Sequence, residues 1–288
     1  MVLTTISFTV MQTGVRWVAT DTANPLPPVE VAFFRNLFGV VALAPVLFTA
    51  GFSIFKTQRL GMHFGRAFCQ STGMVCFFTA LTMVPLAKIT ALSFSAPLFA
   101  TLLAIVVIGE RVRARRITAL VLGFIGVMIV LQPRFDSFEL GGFLVLASST
   151  LWAVAMTFIK SLSRTESAVT ITLYAGVFLV PMTGIPALFV WVHPTLEQLL
   201  WLLGIGAVGT IGHLAFAQSF KHAEMSAVLP FDFLRLIWAS AIGYMLFGEI
   251  PTWITWIGGA LIFSAACYIG IREAQLAKRN KTKPSDTA

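Results

Sequence analysis

The 288-residue chain is 57% apolar and only 11% charged, where soluble proteins carry roughly half and about a quarter. So few charges cannot cover a water-facing surface, which excludes a soluble enzyme, an ATP-hydrolysing module or a DNA-binding domain. The net charge of +8 does not argue for nucleic acid either, because the basic residues gather at the ends of apolar runs.

A spanning helix needs about 20 residues, so ten would use about 200 and leave about 90 for loops and ends. The hydropathy and the breakers predict ten spans, at 2–20, 29–50, 66–84, 88–109, 114–132, 140–160, 168–190, 196–219, 226–248 and 252–272. None shows the alternation of a membrane barrel strand. The first is unusually polar, with Thr4, Thr5, Ser7, Thr9, Gln12 and Thr13, so it is expected to face a protein interior or a wet cavity. It lacks the basic start of a signal peptide, since Arg16 follows the apolar run. Asn24-Pro25-Leu26-Pro27-Pro28 separates spans one and two, and a very short turn around Pro85 separates three and four. The polar segment from Gln275 to Ala288 reads as a solvated, disordered tail. Cys69, Cys76 and Cys267 lie in apolar runs and read as small packing residues.

Basic residues orient the chain. With the N-terminus inside, fifteen Lys and Arg fall in inner connections and two, Lys88 and Arg134, in outer ones. Both termini are then cytoplasmic. The chain also repeats itself weakly. Ala80-Leu81, Ala87, Ala91-Leu92 and Ile108-Gly109-Glu110 are echoed by Ala217-Gln218, Ala223, Ala227-Val228 and Phe247-Gly248-Glu249, with the two Gly-Glu pairs 139 residues apart. Five spans per copy is an odd number, so the copies would be inverted in the membrane. The fold expected is therefore all-α and integral to the membrane: ten transmembrane helices as two inverted five-helix repeats, residues 1–136 and 137–274, with a cytoplasmic tail at 275–288.

At this point the residues carry a family likeness. Glu30-Val31-Ala32-Phe33-Phe34-Arg35, Arg66, Ser95-Ala96-Pro97-Leu98-Phe99, the two Gly-Glu span ends, and Gly123-Phe124-Ile125-Gly126 with Pro133 follow one another in a specific order. In that order the chain resembles the drug/metabolite transporter superfamily, EamA type, and looks most like the branch of S-adenosylmethionine and riboflavin carriers. The resemblance implies a ten-helix inverted-repeat fold and secondary transport without ATP. It does not carry a substrate.

Charges inside spans are costly, by about 2.5–3.5 kcal/mol each near the midplane, and mark function. Asp232 and Arg235 sit three apart on one helical face of span nine. They read either as a substrate site, with a zwitterion or carboxylate competing for Arg235, or as a permanent pair that fixes packing. Arg35 in span two reads as an anion contact or interbundle latch, or as a snorkelling side chain. Arg16 beside Trp17 reads mainly as an interfacial anchor, and Lys88 as an interfacial charge. Gln12, Gln70, His213 and Gln218 are further candidates to line a cavity, and Trp152 to stack on a flat substrate. For His213 hydrogen-bonded packing is the plainer reading, and for Trp152 lipid-facing or core packing. Trp191, Trp201, Trp253 and Trp256 fit an interfacial aromatic belt. Small residues at Gly123, Gly126, Gly204, Gly206, Gly209, Gly258 and Gly259 suit close helix packing.

No phosphate loop, metal motif or catalytic triad pattern is present. The function expected is secondary transport of a small amphiphilic metabolite (amino acid, cofactor or nucleoside-like) by alternating access in a bacterial inner membrane. The partners are that substrate and membrane lipid, with a proton or counter-substrate left open and no cofactor or nucleic acid. Two other classes compete. A membrane-embedded enzyme on a lipid-linked substrate would need clustered catalytic groups at one interface. A non-transporting scaffold subunit would have no reason to carry charges in span nine.

Overall fold

The computed structural model describes residues 2–20, 24–50, 57–108, 114–132, 139–162, 165–222 and 229–281. Within them lie eleven α-helices and no strand. They are α1 (Val2–Thr20), α2 (Pro28–Ala50), α3 (Leu60–Leu81), α4 (Leu86–Ser93), α5 (Ala96–Ile108), α6 (Ala114–Leu131), α7 (Leu140–Leu162), α8 (Ala168–Ala187), α9 (Leu196–His222), α10 (Leu234–Phe247) and α11 (Trp253–Lys281). Short 3-10 turns at Leu188–Val190 and Leu229–Phe233 complete the described elements. Five apolar stretches are long enough to cross a membrane: Leu86–Leu103, Leu140–Ile159, Val169–Val190, Leu196–Ala215 and Trp253–Arg272. Ile117–Leu131 is a shorter apolar helix.

Four features depart from the expected spans. Helix α3 begins at Leu60, so Arg66 lies inside a helix and is buried, not at its opening. The predicted fourth span breaks between α4 and α5. Pro97 cannot donate to the carbonyl four residues back, so the chain tightens, with the Phe94 and Ser95 amides bonding three residues back to Ala91 and Leu92. The described part of the ninth span is irregular too, opening on a 3-10 turn at Leu229–Phe233 that leads into α10 at Leu234. Finally, α11 continues to Lys281, so the first part of the expected disordered tail is helical, with Gln275 accepting a hydrogen bond from Arg272.

Packing follows an exchange of chain halves. Helix α1 packs on α9 and α7 on α3; α2 packs on α9 and α8 on α3; α1 packs on α10 and α7 on α5. Swapping the first half for the second turns the first contact of each pair into the second, while α2 with α8 and α6 with α11 map onto themselves. Close approach is set by missing side chains. A Cβ on Gly126 would sit 2.9 Å from the Gly258 carbonyl oxygen, so α6 and α11 touch backbone to backbone. Gly204, by contrast, has nothing within 4 Å and serves no such contact.

The polar face of α1 turns inward: Thr4, Thr5, Ser7, Thr9, Gln12 and Thr13 are all buried. Part of their cost is met within the helix, as the Thr9 and Thr13 hydroxyls donate to the carbonyls of Thr5 and Thr9. Outward, α5 and α6 leave an apolar groove lined by Leu102, Leu120, Val121, Phe124, Ile125, Met128 and Ile129. It holds no charged residue and suits lipid contact rather than a polar ligand.

Candidate substrate site

The α4–α5 break meets the 3-10 turn that leads into α10. Phe94 closes α4 and Phe233 precedes α10, and these residues are 139 apart, the same offset as the two Gly-Glu pairs. Their rings stack with centroids 6.1 Å apart, and Phe263 of α11 packs on both. Equivalent residues touching each other mark the axis of the half-chain exchange. Broken helices at such an axis free backbone and side-chain groups in mid-bundle, which is where inverted-repeat carriers place their sites. Ser95, at the first break, is fully buried, and its hydroxyl has no hydrogen-bond partner among the described residues.

Asp232 and Arg235 flank the second break. Their contact is long, with Arg235 Nη1 3.5 Å from Asp232 Oδ2, and both are partly exposed. Arg235 Nε and the indole N–H of Trp238, three residues on, are buried with no hydrogen-bond partner among the described residues. The guanidinium also lies 5.7 Å from the ring centroid of Phe8 on α1, within cation–π range. His213 of α9 also packs on Phe8, edge to face with ring centroids 5.0 Å apart.

Arg35 reaches the same helix from α2. A Cβ on Gly209, one turn before His213, would fall 3.3 Å from an Arg35 terminal nitrogen and 2.8 Å from Met11 Sδ. Glycine there lets the guanidinium lie against the α9 backbone. Arg35 Nη1 donates to the Asn36 side chain at 2.9 Å, and Asn36 in turn donates to Thr183 of α8. Four predicted residues, Arg35, His213, Asp232 and Arg235, are thus linked through Phe8 and Gly209 across α1, α2, α9 and the break before α10. Gln12 is buried one turn along α1 from Phe8.

Gln70 and Trp152 lie elsewhere in the bundle. Gln70 is buried on α3, one turn beyond Arg66, and its Oε1 has no donor among the described residues. Arg66 Nη1 donates to the Ile171 carbonyl at 2.7 Å. Trp152 is half-buried on α7, next to Leu151, which seats against Gly73 of α3. The side chain of Gln218 lies outside the described residues.

Arg16 and Lys88, expected at an interface, are each ion-paired. Arg16 bonds Glu249 at 2.5 Å and the Val84 carbonyl at 2.9 Å, and its guanidinium sits over Phe247. The Gly-Glu ending explains how: Gly248 adopts φ +65 as the left-handed cap of α10. That turn aims Glu249 back at Arg16 and at the Leu86 amide, which donates to it at 2.9 Å. Lys88 pairs with Glu139 at 2.8 Å. A further pair was not foreseen: His63 of α3 meets Glu166 at 2.5 Å and packs on Tyr174, with Arg59 bonding the Ser161 carbonyl nearby. The predicted helix start at 66 had placed His63 in a loop. Trp191, assigned to the belt, packs inward on Phe33 and Phe34. Trp201 and Trp253 are exposed.

The profile of the EamA-like transporter family matches the chain twice, over residues 2–132 and 139–271. The chain belongs to the EamA-like transporter family. It is 32% identical over 260 residues to a riboflavin transporter of Vibrio cholerae, covering 89% of this chain and 87% of that one. A Rickettsia bellii S-adenosylmethionine uptake transporter is 27% identical over 240 residues, covering 83% and 82% of the two chains. The pseudopaline exporter CntI of Pseudomonas aeruginosa is 26% identical over 269 residues, 92% of each. One crystal structure matches with a TM-score of 0.59 at 18% identity, over 94% of this chain and 97% of its own, and so shares the fold. Membership makes this EamA-like chain a membrane transporter and not an enzyme. The helix bundle is accordingly a multi-pass membrane fold.

Proposed function

We propose that this EamA-like protein is a secondary carrier of a small amphiphilic metabolite in a bacterial inner membrane. It works by alternating access of two inverted five-helix repeats, residues 1–136 and 137–274, with both termini and the tail at 275–288 in the cytoplasm. The ten spans are then α1, α2, α3, the broken α4–α5, α6, α7, α8, α9, the broken segment ending in α10, and α11. The half-chain exchange of packing partners and the two-fold family match support this division.

The observation that carries the reading is the charged, aromatic cluster of Phe8, Arg35, His213, Asp232 and Arg235 beside two broken helices on one axis. A packing bundle gains nothing from half-paired charges at that depth. A carrier does: a ligand can take up the donors left open on Arg235 and displace the long contact to Asp232, coupling occupancy to the hinge beside it. Gln12 lines the same face, while Gln70 and Trp152 would enclose the site from α3 and α7. Relatives that move riboflavin, S-adenosylmethionine and pseudopaline are consistent with a flat or zwitterionic cargo.

Uptake of labelled riboflavin and S-adenosylmethionine into cells overproducing the protein tests this. Arg235→Ala should abolish the uptake gained while membrane expression stays near normal. Full activity in the double variant Asp232→Asn with Arg235→Gln would make the pair structural and refute the site.

A further inference from the structure

We propose that the carried molecule bears an anionic group, a carboxylate or a phosphate ester, and that Arg35 is the residue that holds it; this rests on the interior site described above.

The charge inventory leads there. Among the described residues, the buried and part-buried carboxylates are already engaged. Glu249 holds Arg16 and the Leu86 amide, Glu166 holds His63, Glu139 holds Lys88, and Glu30 accepts from the Val192 amide through Oε2, its Oε1 being without a partner among the described residues. Asp232 is the carboxylate of the interior cluster, and its contact is to Arg235, at 3.5 Å. Among the described residues no carboxylate pairs with Arg35.

A buried guanidinium without a counter-charge is strongly destabilising in an apolar interior. Arg235 is partly compensated by Asp232, and Arg66 is committed through Nη1 to the Ile171 carbonyl. Arg35 is 7% exposed, its one described acceptor is the neighbouring Asn36 amide oxygen, and its Nε has none. Guanidinium presents five donors in a planar fork that fits a carboxylate or phosphate two bonds at a time. The absent side chain at Gly209 leaves this fork lying along α9, one turn from the His213–Phe8 pair, where a flat group can stack. An anion at Arg35 would neutralise the cluster and fix the orientation of the cargo's apolar part against those rings.

Matched ligands separate this claim from the carrier reading. Binding to the purified protein in lipid nanodiscs is measured for riboflavin against riboflavin 5′-phosphate, and for S-adenosylmethionine against its decarboxylated form. Within a scaffold that binds, the member with the extra anion should bind about tenfold tighter. Inorganic phosphate should compete with that member more effectively than with its partner, a result that needs no variant. Arg35→Gln should erase the difference within the pair, and Arg35→Lys should restore part of it. If the neutral member binds as tightly, or if the preference survives in Arg35→Gln, the inference is overturned while the carrier reading stands. If none of the four binds, the carrier reading fails for these scaffolds and the inference falls with it.

Discussion

Arg16 and Glu249 show how one residue's backbone conformation reaches across the molecule. Gly248 alone in the described chain combines glycine with a positive φ, and the left-handed cap it makes turns Glu249 toward α1 and the turn before α4. The pair ties the end of α1 to the end of α10 and to the α3–α4 turn, with both side chains less than a fifth exposed. Removing one partner strands the other charge, so Arg16→Ala should destabilise the protein by ~2 kcal/mol, read as a lower melting temperature in detergent. Glu249→Gln keeps an acceptor for the Leu86 amide and should cost less than Glu249→Ala. An equal melting temperature for these two variants would mean the ion pair, not the amide contact, carries all of the stability.

At the level of elements, close packing and broken helices have opposite tasks. Helices α6 and α11 meet where a side chain on Gly126 would strike backbone atoms of Gly258 and Ile262, which cannot move aside. Gly126→Ala should therefore lower thermal stability sharply, whereas Gly204→Ala, facing open space, should be neutral or raise it by up to about 1 kcal/mol through helix propensity. Comparison of the two melting curves checks this directly. The break between α4 and α5 is the reverse case, a discontinuity kept by Pro97. Pro97→Ala supplies the missing amide and should let the helix run through. The expected outcome is unchanged or higher melting temperature together with reduced riboflavin or S-adenosylmethionine uptake; retention of full uptake would show that the break is not used in transport.

For the molecule as a whole, orientation rests on where the basic residues fall. With Arg66 buried in α3, fourteen of the fifteen inner positions remain in or beside connections, still against two outer ones. A green fluorescent reporter on either terminus should fluoresce, and alkaline phosphatase on either should be inactive, if both ends lie in the cytoplasm as proposed. Active phosphatase at one end would break the even number of crossings.

The all-helical membrane fold was legible because it depends on composition and period, and the inverted repeat remains the proposal drawn from the same features. Apolar run lengths, the Lys and Arg bias and the echoed Gly-Glu endings point to an inverted-repeat membrane bundle, and the charges of span nine stand out because they are expensive there. The helix breaks were missed since Pro97 and Pro230 sit inside otherwise unbroken apolar runs, and hydropathy averages over them. Phe8 could not be distinguished among 26 phenylalanines. Its role between His213 and Arg235 exists only once α1, α9 and α10 converge. Arg16 looked interfacial because its partner lies 233 residues away in the sequence. The amino-acid order decided which segments leave water, since burying apolar surface depends on local content. Only the folded bundle decided which buried charges find partners, because that depends on distances between helices that no local pattern encodes.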